Sequence, residues 1–184
     1  FHRDGLIHDL HAAAGIPGRT STARAVSESG LVVGSADWIA DFVDWETVTI
    51  WRDGVAANLG TPGGGEGWAF GVNDHGEAVG GGVDAQGNNV AWIWRGAGLE
   101  NLNGLIPPGS GWYLLSAWDI GNDGVIAAEG SFNNSFQGVR LVPDGAGSYR
   151  IYGTGCAGSG GFTPRLFCSG WAEPGGAIAL AVVN

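Results

Sequence analysis

Four carboxylates and three aromatic rings crowd one short stretch, where Asp37, Asp41, Asp44 and Glu46 interleave with Trp38, Phe42 and Trp45. Clustered carboxylates can bridge calcium, and aromatic rings can stack on sugars. The spacing fits no EF-hand loop, so the first expectation is a solvated acidic loop whose aromatics face the core. If the loop binds a ligand, Trp38, Asp41, Asp44 and Trp45 are the residues that would touch it. A polysaccharide-acting enzyme using Asp37, Asp41 or Asp44 is the rival reading. Glycosidases need two acids facing one sugar at a set separation, and carboxylates on one loop are poorly placed for that.

Other chemistry is thinner. His8 and His11 make a His-x-x-His around Asp9, but no third ligand is evident and no metal is expected. Residues 153–158 satisfy Gly-x-Gly-x-x-Gly, yet the Gly-rich 159–164 that follow cannot propagate the helix a dinucleotide turn must open, so no cofactor is expected. The turns at Asn73-Asp74 and Asn122-Asp123 are explained by turn propensity without calcium. Cys156 and Cys168 suit one small disulfide loop in an oxidising compartment and equally suit two free thiols. No Gly-x-Ser-x-Gly elbow, Cys-His dyad or paired catalytic carboxylate is present, so no residue is assigned a catalytic role.

The elements that must position these residues are strands. The chain has 184 residues with 36 Gly, nine Trp and only eight Lys or Arg, too many helix breakers and too few charges for a helical protein. Hydrophobic residues make up 44%, which supplies the burial that a disordered chain lacks. The formal net charge of −10 repels phosphate backbones and anionic headgroups, so nucleic acid is not an expected partner. No apolar run approaches the length of a membrane span.

Laid on itself, the chain repeats. Residues 23–34 (ARAVSESGLVVG), 69–80 (AFGVNDHGEAVG) and 117–128 (AWDIGNDGVIAA) share an apolar lead, Val or Ile three places on, a polar turn ending in Gly, and an apolar strand. The steps are 46 and 48 residues, within the range of propellers, solenoids and arrays. A second motif interleaves: FHRDGLIHDL from Phe1, IWRDGVAANL from Ile50, IWRGAGLENL from Ile93, and a degenerate GVRLVP from Gly138. Each unit reads as four short strands, one around Val26, one around Val32, one around Trp51 and one around Leu59 in the first unit. Gly30, Gly76 and Gly124 follow polar triplets and supply the positive φ of a tight hairpin, as Asp53-Gly54 does for the next one.

These two alternating halves resemble the extracellular HAF-type repeats of bacterial secreted proteins, named from a His-Ala-Phe signature. The resemblance covers residues 1 to about 143, and 101–118 (NLNGLIPPGSGWYLLSAW) resembles that family's last-repeat form. Ser27-Glu28 stands where the pattern has Asn-Asp, Gly121 intrudes in the third copy, and residues 48–50 read Val-Thr-Ile in place of His-Ala-Phe. The stretch from Tyr149 on is similar to a small C-terminal β module of secreted planctomycete-type proteins. What the resemblance implies is export, a propeller-like β fold and no reaction.

The sequence therefore predicts an all-β, β-propeller-like array of about three four-stranded repeats. A partial repeat runs from residue 1, units start near 23, 69 and 117, and a Gly-rich β segment occupies 148–184. About thirteen strands are counted, too few to close a ring of four or more blades, so an incomplete propeller with further repeats and a signal peptide upstream is expected. The expected function is a secreted, non-catalytic binding or scaffold module for an extracellular protein or glycan. The alternative is a carbohydrate-binding or polysaccharide-acting protein using the Trp38/Asp41/Trp45 loop.

Overall fold

The computed structural model describes residues 7–39, 46–152, 165–168 and 180–183. It is all-β, with 53% of the chain in strands and 6% in helix, built from curled antiparallel sheets. Twelve strands form three meanders of one topology. The first contains β1 (Ser21–Val26), β2 (Val32–Asp37), β3 (Glu46–Arg52) and β4 (Val55–Gly60), hydrogen-bonded in that order. The second contains β5 (Gly67–Val72), β6 (Ala78–Val83), β7 (Asn89–Trp94) and β8 (Leu99–Asn101). The third contains β9 (Trp112–Ile120), β10 (Ile126–Phe132), β11 (Ser135–Pro143) and β12 (Tyr149–Tyr152). A single antiparallel pair, Gly81 with Ser116, joins the second and third meanders into one eight-stranded sheet.

Alternation along the strands decides what packs where. In each unit one face leads toward the preceding unit and the other trails toward the next. Trailing Leu31, Val33 and Val48 of the first unit bury themselves with leading Ala69, Val72, Ala78 and Trp92 of the second. Trailing Val79, Ala91 and Ile93 of the second unit do the same with leading Ala117, Ile120, Ile126 and Leu141 of the third. Unit-on-unit burial of this kind is what lets a chain so rich in Gly hold a core, since one four-stranded meander alone hides too little apolar surface.

The expected hairpins form. Gly30, Gly76 and Gly124 take φ of +85°, +80° and +75° at the end of the first turn of each unit. Those turns close through amide-to-carbonyl bonds from Gly30 to Ser27, Gly76 to Asn73 and Gly124 to Gly121, of 2.9–3.1 Å. The Asp53-Gly54 turn has both residues at positive φ, the geometry of a two-residue hairpin loop.

Two stretches differ from expectation. In the first copy of the second motif, Ile7 to Asp9 form no strand and α1 (Leu10–Ala14) follows; residues 1–6 lie outside the described residues. Asp9 overrides the repeat pattern, because its Oδ1 accepts from the His11 and Ala12 amides at 3.0 Å as an N-cap, the Ala run favours helix, and Gly15 ends it at φ +62°. Leu10, Ala14 and Ile16 then cover Val32, Ala36 and Trp51, the leading face of the first unit. At the other end, Tyr149–Tyr152 hydrogen-bonds beside β11, and Tyr149 is buried in the third unit's core, with its amide donating to the Leu105 carbonyl at 2.8 Å.

The chain divides into two compact units after Ile151. In the second, β13 (Arg165–Cys168) and β14 (Leu180–Val183) pair antiparallel, with Arg165 opposite Val183 and Cys168 opposite Leu180. Cys156 and the Gly-x-Gly-x-x-Gly match at 153–158 lie outside the described residues.

Candidate functional site

The first strand of each unit carries a bulge at one equivalent position. Register slips between Ala23 and Ala25 in β1, between Ala69 and Gly71 in β5, and at Trp118 in β9, where Ala127 and Ala128 face Asp119 and Ala117. The extra residues are Arg24, Phe70 and Trp118. A bulge re-aims its side chain, and here the three form a row from unit to unit. The Arg24 guanidinium lies 5.4 Å from the centre of the Phe70 ring, and Phe70 stacks on Trp118 with centroids 4.8 Å apart at 23°. Trp118 keeps 49% of its surface exposed.

The same repeat builds a ladder of turns. Between the second and third units, Asn73 Nδ2 donates to the Gly121 carbonyl (3.1 Å), the Asp74 amide to Asn122 Oδ1 (2.9 Å), and Asn122 Nδ2 to Asp74 Oδ2 (2.8 Å). His75 Nε2 lies 3.0 Å from the Asn122 carbonyl. The bond from Asn122, then the amides of Ser29 and Glu28 and the nearby His75, hold the Asp74 carboxyl below its usual range against the opposing effect of partial desolvation. The Asn-Asp turns thus tie one unit to the next.

Two clefts open on the first compact unit. The larger, about 410 Å3, is lined by Arg52, His75, Glu77, Trp94 and Arg95. Its polar groups are largely engaged: Glu77 Oε2 accepts from Asn73 Nδ2 at 2.7 Å, and Arg95 grips Glu100 through two bonds of 3.1 and 2.9 Å. That ion pair raises the Arg95 pKa further above its normal value. The second cleft, about 330 Å3, is lined by Trp68, Phe70, Asn89, Leu115, Ser116, Glu129 and Phe136, with Gly81 and Gly82. Trp68 is fixed there by its Nε1, which donates to Glu46 Oε2 at 2.8 Å.

Comparison with family models, with curated proteins and with solved structures returns no match. The site is therefore argued from its residues alone.

Of the loop candidates, Asp41, Asp44 and Trp45 lie outside the described residues. Trp38 is half-buried against Val32, Ala36 and Trp51, and its Nε1 donates to Thr49 Oγ1 at 2.9 Å. Asp37 is buried, with Oδ1 accepting from the Ile39 amide at 3.0 Å. His11 Nδ1 sits 3.1 Å from Ser21 Oγ, while Asp9 is occupied as the helix cap. Among the described residues no three His, Cys, Asp or Glu side chains gather as a metal site.

Sequence reasoning passed over Arg24 and Phe70, Glu129 and Phe136. A signal for the first two exists in the motif itself. Ala69 and Val72, like Ala117 and Ile120, are three residues apart yet share one core cluster. A regular strand alternates faces, so an odd spacing between two residues of one face requires one extra residue between them.

Proposed function

We propose that this chain is an exported, propeller-like binding module of the HAF-repeat kind, with no bond chemistry of its own. The observation that carries the reading is the row of Arg24, Phe70 and Trp118. Three units spend their bulge residues on presenting side chains outward, which rigid strands do more precisely than loops. Three meanders with trailing-to-leading packing support a propeller-like arrangement, and loops and bulges on such a scaffold are where binding residues gather. The scaffold's larger cleft has Glu77 and Arg95 committed to structural bonds, which supports binding over acid–base chemistry there.

The test is to present the intact chain, immobilised, to extracellular material of the producing cells beside Trp118→Ala. Retention by the native chain that falls with Trp118→Ala supports the reading. Equal retention by both, or finding the native protein confined to the cell interior, contradicts it.

A further inference from the structure

Within the first compact unit, the third meander's trailing face packs on no other meander, whereas those of its predecessors do. In register, Val33 pairs with Ile50, Val79 with Ile93, and Ala127 with Arg140. The first two pairs enter unit–unit cores, whereas Ala127 and Arg140 are exposed. One step along, the equivalent residues are Ser35, Gly81 and Glu129; the first two are buried and the carboxylate stands half-exposed. Beside it Phe136 is 73% exposed. The geometry points to a carbohydrate site in the 330 Å3 cleft, taking a neutral, hydroxyl-rich oligosaccharide. This names the ligand of the binding module and rests on that reading.

Three properties select the ligand. Sugar rings present apolar C–H faces that stack on aromatics, and the cleft is lined by Phe136, which is 73% exposed, and by Phe70, whose ring is held by Arg24 and Trp118. Sugar hydroxyls donate and accept, and Glu129, Asn89 and Ser116 offer acceptors, donors and a hydroxyl whose side chains are not engaged by other described residues. The volume lies at the lower end of small-ligand pockets, about 300–1,000 Å3. A strand-forming peptide is disfavoured because β6 is paired by β5 and β7, β10 by β9 and β11, and β9 meets β6 at Ser116 within the cleft itself. An anionic polymer meets Glu129 and a chain of net charge −10.

The test is isothermal titration of the intact chain with cellohexaose, laminarihexaose and mannohexaose, with polygalacturonate as the anionic counterpart. At least one neutral hexasaccharide should bind, and Phe136→Ala and Glu129→Gln should each weaken it about tenfold. Neither variant should lower the melting temperature, because both side chains are outside the core. No heat with any neutral probe, or binding of polygalacturonate instead, overturns the ligand class and leaves the module reading standing. Binding that survives both substitutions overturns the site. Reducing ends appearing in the cell would instead overturn the non-catalytic reading.

Discussion

Val79 and Ile93 on the second unit occupy the same register as Ala127 and Arg140 on the third, one pair fully buried and the other exposed. The two units share topology, bulge and turn, so the difference is confined to what each trailing face is asked to meet. Where another unit follows, the face is branched and apolar. On the third unit the same register positions are small and charged, as Ala127 and Arg140. At the opposite end Leu10, Ala14 and Ile16 cover the leading face of the first unit, where the sequence had suggested another pair of strands. A repeat thus specifies its neighbour through one side of its sheet, and the open side is where chemistry is free to vary.

The largest effect expected from breaking this contrast comes from Ile93→Arg. It places an unpaired charge in the core between the second and third units and should cost more than about 4 kcal/mol, read as loss of the cooperative urea transition. Its mirror, Arg140→Ile, should change stability by less than about 0.5 kcal/mol. Next is Trp92→Ala, expected to cost about 3–5 kcal/mol because the indole is fully buried and its Nε1 bond to the Gly81 carbonyl (2.9 Å) is lost with it.

Gly80→Ala sharpens the comparison further. A Cβ at Gly80 would collide with the Trp68 carbonyl and the Trp92 ring, so about 1–3 kcal/mol is expected, whereas the third unit carries Ala128 at this position opposite Val139. Ala128→Gly should cost only about 0.5–1 kcal/mol. Both are read by chemical denaturation.

Much of this was legible. Polar triplets ending in Gly announced the first hairpins, and the 46- and 48-residue steps announced three units. The sidedness was not, since Val33 and Val79 look like Ile126 until register assigns faces. Asp9 and the alanines after it carried their own helix signal, which alignment to the repeat concealed. Ser27 was read as a departure from Asn; its Oγ accepts from the Leu31 amide at 3.2 Å, as Asn73 Oδ1 accepts from Glu77 at 3.0 Å, but a hydroxyl lacks the amide reach that takes Asn73 to Gly121.

The turns supply the smaller effects. Asn122→Ala removes both side-chain bonds to Asp74 and should cost about 1–2 kcal/mol in a denaturation series. Asp74 has a folded pKa below the ordinary aspartate value of 3.8, so its contribution is complete above that value and is lost as pH falls through the lower folded one. Asp74→Asn should therefore flatten the acid limb of stability below about pH 4, with the loss of stability greatest in the neutral range and vanishing in strong acid.

The most direct measurement is hydroxyl-radical footprinting of the intact chain, comparing Phe136 and Trp118 with Trp92 and Ile93. The two-faced array requires rapid modification of the first pair and protection of the second until global unfolding. Protection of Phe136, or modification of Trp92 at a matching rate in the folded chain, would contradict it.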